Sequence, residues 1–179
     1  MARVKVKDFI SLDIPDDMEY SDNLDRYLFS AIRMGEFAEE MLSLDLEVGL
    51  EEPFTADRCF ILHSSDVRPL NIDNGLDFSN PGVKSDVKCL MNVDGAGDKL
   101  LGLERDVTSK LLVERNDLLV AYEYYDDEAD DNEPTNMHFI ISIATLDTYC
   151  SGQIWLNDIE TKSGRVKEAE RWLNTIEPV

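Results

Sequence analysis

Positive charge is what this chain has least of: 17 Lys and Arg stand against 38 Asp and Glu in 179 residues, a formal net charge of -21. That shortage excludes the footprint of a protein that holds nucleic acid or anionic membrane along an extended surface, because such binding is driven by cations displacing counterions from phosphate. Cysteine is scarce as well. Cys59, Cys89 and Cys150 are an odd set at wide spacing, each inside an apolar stretch, which argues against a disulfide framework and for a reducing compartment. The two histidines, His63 and His138, stand at no finger or ribbon spacing from those thiols, so a zinc site is not expected. No apolar run approaches about 18 residues and Met1 to Asp8 lacks the apolar centre of a signal peptide, so a cytoplasmic protein is expected, in the host cytoplasm if it is viral.

Apolar residues are present in ordinary amount, 43%, and are spread along the chain, unlike the composition of a disordered acidic tail. One domain over residues 1–179 is expected, with no internal repeat and no dividing linker. Arg3 to Lys7 alternates as an edge strand does. The acidic turn Asp13 to Asp17 precedes an expected long helix from Ser21 or Asp22 to Leu46, with Leu24, Leu28, Ala31, Gly35, Ala38 and Leu42 in line. Cys59 to His63 reads as a strand, Val67 to Ile72 as an edge strand limited by Pro69, and Asn71 to Gly82 as a loop. Asp86 to Val93 alternates and is expected to be a strand, with a short helix in Lys99 to Glu114. Leu118 to Tyr125 and Met137 to Leu146 are the strongest strands, joined as an antiparallel hairpin with an acidic tip. Ile154 to Asn157 adds a strand, and Ser163 to Ile176 is a helix whose Val166, Ala169, Trp172, Leu173 and Ile176 share a face. The fold class expected is α+β: an antiparallel or mixed sheet of about five to six strands with two long helices packed on it.

Several groupings invite chemistry. Asp86-Val87-Lys88, with Asp66, Asp73 or Asp77 upstream, has the outline of a metal-dependent nuclease, in which carboxylates hold a divalent ion and the lysine steadies the water. An acid two residues before a lysine recurs at Glu160 to Lys162, so the outline has little specificity. Gly95-Ala96-Gly97-Asp98-Lys99 lacks both the dinucleotide and the P-loop spacing and reads as a turn. Asn92, Asp94 and Asp98, or the tip Asp126 to Glu133, offer oxygens to calcium without completing an EF-hand loop. Cys59 and His63 share a strand face but stand about 13 Å apart, too far for a nucleophile and its base. Trp155, Trp172, Tyr122, Tyr124 and Tyr125 are candidate interface anchors, most of them destined for the core. No cofactor, no metal and no catalytic residue is expected.

The charge is clustered. Fifteen acids lie between Asp8 and Arg58, opposed only by Arg26, Arg33 and Arg58. On a helix, Glu36, Glu39, Glu40 and Glu47 would form a row with Asp22 and Asp25 at its start, and Asp126, Asp127, Asp130 and Asp131 would form a second cluster at the hairpin tip. Carboxylates at a density comparable to duplex phosphates can fill a groove evolved for DNA and steer a basic target. In size and composition the chain resembles the antirestriction and nuclease-inhibitor proteins of bacteriophages, a likeness of charge that covers no alignable motif. What it implies is a non-enzymatic DNA mimic with a basic, nucleic-acid-binding protein as its partner, using the ten carboxylates just named. A virion or assembly component without mimicry is the alternative, and a nuclease around Asp86 and Lys88 is a third reading.

Overall fold

The computed structural model describes residues 1–22, 27–35, 56–63, 68–69, 77–125 and 137–179. Their architecture is α+β, with two antiparallel sheets. β1 (Ala2–Val6) and β2 (Ile10–Ile14) form a hairpin, and β11 (Glu177–Pro178) pairs with the other edge of β2. The large sheet runs in the order β3 (Glu19–Ser21), β4 (Tyr27–Arg33), β5 (Arg58–His63), β10 (Thr148–Leu156), β9 (His138–Thr145), β8 (Leu118–Tyr125) and β7 (Val107–Glu114). The two-residue β6 (Arg68–Pro69) pairs with the start of β10. Three α-helices complete the described elements: α1 (Pro81–Leu90), α2 (Ala96–Leu101) and α3 (Lys162–Leu173).

Alternation explains the layers. Leu118, Val120 and Tyr122 of β8 face one core with Phe60, Phe139 and Ile141, where the small sheet and α3 cover them. Leu119 and Ala121 point the other way, onto Phe78, Val87, Met91 and Val93. β8 is therefore apolar on both faces, which is why its sequence is a nearly unbroken apolar run. α3 starts where the Thr161 hydroxyl accepts a hydrogen bond from the Gly164 amide at 3.1 Å. It buries Ala169, Trp172 and Leu173.

Three expectations are corrected. Residues 27–33 form a strand, not the first half of a helix: β4 is paired by β3 on one side and β5 on the other, so its amides and carbonyls find partners across the sheet. Leu28 and Ala31, spaced as a helix would need, are buried because consecutive residues 28–31 are all buried, on both faces of the strand. The rest of that expected helix, 36–46, lies outside the described residues. Likewise, Asp86 to Leu90 belong to α1 rather than to a strand. Asn80 accepts from the Gly82 amide at 3.0 Å and Pro81 occupies the first turn, a start signal that outweighs the alternation of Val87, Cys89, Met91 and Val93. Finally, among the described residues the large sheet has eight strands and the small one three, more than the five or six expected, and of the two long helices only α3 is found there. The α+β class, β5, the β8–β9 hairpin and α3 match the sequence reading. The short helix expected over Lys99 to Glu114 is met only at Lys99 to Leu101, the end of α2, since Val107 to Glu114 form β7, and Ala96 to Lys99, expected as part of a turn, belong to α2.

Candidate partner-binding end of the sheet

The register of the strands brings distant parts of the chain to one end of the large sheet. Arg33, at the end of β4, pairs with Arg58 at the start of β5. Arg58 pairs with Leu156, and the adjacent Trp155 pairs with His138, the first residue of β9. Glu123, two residues before the end of β8, pairs with Ile140. The connection from Arg33 to Arg58 and that from Tyr125 to His138 thus leave and return at the same end. Four strand spacings separate β4 from β8, about 19 Å. The first connection contains eight acids, Glu36 to Asp57, and the second six, Asp126 to Glu133.

Of the expected partner-binding residues, only Asp22 is described, and it is exposed. It follows β3, whose Ser21 pairs with Ser30, and precedes β4, whose Tyr27 pairs with His63. Asp22 is therefore at the opposite end of β4 from Arg33, roughly 20 Å along the strand, and the strand Tyr27–Arg33 interrupts the helix expected to run on from it. Asp25, Glu36, Glu39, Glu40, Glu47, Asp126, Asp127, Asp130 and Asp131 lie outside the described residues.

Cations at this end are already engaged. Arg33 donates to Asp17 at 2.7 Å and also to Asp158. Arg58 holds Asp158 and Glu168, each at 2.9 Å. Arg165 is buried beneath, donating to the carbonyl of Ile159 at 2.7 Å and to that of Met137 at 2.9 Å. Lys162 lies 5.3 Å from the centre of the Tyr124 ring. Across the molecule, at least nine of the fifteen Lys and Arg whose side chains are described pair with a carboxylate. Residues 23–26, 36–55, 64–67, 70–76 and 126–136 carry sixteen acids against the single cation Arg26, while the described residues and their 22 acids include the other 16 cations. The sequence analysis missed the Arg33–Asp158–Arg58–Glu168 cluster that ties this end together. Its one legible signal was that Arg33 and Arg58 flank the acidic segment.

The other groupings take structural roles. Asp86 is exposed on α1, and Lys88 turns instead to Glu114 at 2.9 Å, joined there by Lys84 at 3.2 Å. Asp77 accepts from the Ser79 amide at 2.9 Å in the turn before α1, while Asp66 and Asp73 lie outside the described residues. The strand that a nuclease outline requires is absent from this place. Asn92 and Asp98 satisfy each other: the Asn92 Oδ1 accepts from the Asp98 amide at 2.9 Å, and its Nδ2 donates to the Asp98 carboxylate at 3.1 Å and to Glu123 at 2.6 Å. Arg105 completes the cluster on Asp98 and donates to the Tyr125 hydroxyl at 2.7 Å. Among the described residues no group of three metal-ligating side chains converges. Tyr122, Tyr124 and Trp172 are core, Trp155 stacks on His138 at 4.2 Å, and Tyr125 alone of these aromatics is well exposed. Burial pushes the Cys59 thiol up to about 12, which leaves it unreactive at neutral pH.

Ion pairing sets the acid limit of the fold. A hydrogen bond from Arg33 holds Asp17 below the usual carboxylate range, and Arg171, Lys110 and Lys88 do the same for Glu168, Glu170 and Glu114. Each folded-state pKa is depressed, so the stabilisation is fully present above the ordinary values of 3.8 for Asp and 4.5 for Glu and is lost as pH falls through the folded values. Thermal unfolding followed by circular dichroism should show a Tm that is steady from about pH 7 to 5 and drops below about pH 4. A Tm unchanged at pH 3 would mean that these pairs contribute nothing.

No model of a known protein family matches the chain, and no curated protein is significantly similar to it. No helix among the described residues is long and apolar enough to cross a membrane.

Proposed function

We propose that this protein is an acidic interaction module that occupies the basic cleft of a nucleic-acid-binding protein, such as a restriction or defence nuclease, in place of the duplex. One observation carries the reading: the two chain connections richest in acid depart from a single end of the sheet, about 19 Å apart, where the described arginines are committed to internal pairs. Fourteen acids fall in these two connections, a clustering along the chain that solubility alone does not require. A cationic cleft gains by exchanging its bound counterions for these fixed charges, as it does on DNA. No turnover is part of this function.

The test is capture from the native host at low and high salt, followed by competition. A partner retained at low ionic strength should elute steeply as salt rises, and a 20-base-pair duplex should displace it. The triple variant Glu36→Lys, Glu39→Lys, Glu40→Lys should lower its affinity by roughly a hundredfold or more with an unchanged circular dichroism spectrum. Simultaneous binding of duplex and protein to the captured partner, or an affinity indifferent to the three reversals, overturns the reading.

A further inference from the structure

A second surface does not depend on that function. Leu90 at the end of α1, Leu100 and Leu101 on α2, and Leu103 just beyond are exposed by 47%, 77%, 72% and 47%. Single exposed leucines need no explanation, but four within fourteen residues, three of them lining one cleft, do. Leu90, Leu100 and Leu101 line a cleft of about 510 Å³ between α1 and α2, together with Cys89, Asn92 and Gly97, and Leu103 lines the adjoining one.

The segment that carries them is firmly held. Gly97 packs so close to α1 that an added Cβ would stand 2.8 Å from the Cys89 carbonyl oxygen. Gly95 and Gly102, at φ 69° and 67°, bracket α2, and Asn92 and Asp94 also adopt left-handed conformations. The Asn92–Asp98–Arg105–Tyr125 hydrogen bonds fix the segment to β8. Backbone of this kind is costly for non-glycine residues, and here it holds leucines out to solvent instead of burying them.

Charge selects the occupant. Asp86 lines the cleft, while Asp94, Glu104 and Asp106 line the adjoining one, and none of the four makes an ion pair among the described residues. Lys99 is the one cation there not paired with a carboxylate, since Arg105 is held by Asp98. A second copy of this chain brings a charge of -21 to that rim and is repelled. We infer that the α1–α2 leucine cleft docks a cationic amphipathic helix of a partner protein, whose apolar side chains at i, i+3, i+4 and i+7 meet the leucines while its lysines and arginines meet these four carboxylates.

The probe is a fluorescein-labelled 14-residue helix of leucine and lysine with leucines on one face, beside a peptide of identical composition in scrambled order. Titration at 0.5 M salt suppresses non-specific attraction to an acidic protein. The amphipathic peptide should bind at least tenfold tighter than the scrambled one, and Leu100→Ser with Leu101→Ser should remove that advantage while Tm stays within about 2 °C, because both side chains are already exposed. Changing Asp86, Asp94, Glu104 and Asp106 to Asn or Gln should flatten the salt dependence of the amphipathic peptide. Equal binding of the two peptides, or no effect of the serine pair, overturns the inference. So does gel filtration showing a wild-type dimer that the serine pair converts to a monomer, which would assign the leucines to a second copy.

Discussion

Gly152→Val should prevent the chain from reaching its native fold. Gly152 sits in β10 between Leu62 of β5 and Ile141 of β9, at the centre of the large sheet. A Cβ added there would lie 2.1 Å from the Ile61 carbonyl oxygen and 2.9 Å from Leu62 Cδ2. The obstructing atom belongs to backbone, and that backbone cannot retreat, because Ile61 is paired on its far side with Ser30 of β4. Overpacking a core ordinarily costs about 1–3 kcal/mol, and a clash against a doubly paired strand exceeds that range. The smaller Gly152→Ala makes the same overlap and should lower stability by more than about 3 kcal/mol in urea unfolding. Gly95→Ala is the control: its φ of 69° is strained for alanine but nothing lies within 4 Å, so about 1 kcal/mol is expected. Gly152→Ala unfolding within about 1 kcal/mol of wild type would show that the β5–β10 register is wrong. For the proposed function the register matters, since β10 lies between β5 and β9, the strands at which the two acidic connections end.

Trp172→Ala should cost about 3–5 kcal/mol, a large fraction of the 5–15 kcal/mol that holds a typical domain. The indole is 1% exposed, with its centroid 6.4 Å from that of Phe60, so its removal opens a cavity between α3 and the sheet. Its Nε1 also donates to Glu168 Oε1 at 3.0 Å, the oxygen that receives Arg58 and Arg171. Trp172→Phe separates the two contributions, keeping most of the apolar area and losing the hydrogen bond, at about 1–2 kcal/mol. A Tm drop of roughly 10 °C for Ala and a third of that for Phe is the expected pattern in a chain of this length. Equal drops would show that the hydrogen bond, not the packing, carries the effect.

The elements legible in the sequence are those whose pattern admits one period. β8 and β9 are long apolar runs bounded by polar residues, and α3 has its apolar residues three and four apart behind a Thr161 cap. Tyr27 to Arg33 misled because Leu24, Leu28 and Ala31 fall at helical spacing, while what makes it a strand, backbone pairing along both edges, depends on β3 and β5, which no local window contains. β2 was hidden by Asp13, which looks outward between the buried Leu12 and Ile14 and was read as part of a turn. The clustering of charge was visible because counting acids needs no fold. That the ends of β4 and β8 share one side of the molecule was not, since it follows from the pairing of β5 with β10, whose partners, such as Arg58 and Leu156, lie far apart along the chain. The exposed leucines could have been noticed as an apolar knot between Gly97 and Arg105, but only the fold shows that they face outward.

The small sheet sets the tempo of assembly. β1 and β2 come from the first fourteen residues, yet their third strand is β11, and the Asp13 amide is satisfied by the Thr175 hydroxyl at 3.0 Å. Nearly the whole polypeptide must be looped out before this patch is closed, and the large sheet adds further distant pairings. Contacts so remote along the chain slow the search for the native state to milliseconds or longer. Until the small sheet closes, Val4, Val6, Leu12 and Ile14 of the hairpin lack their cover, and apolar surface exposed in that way invites aggregation.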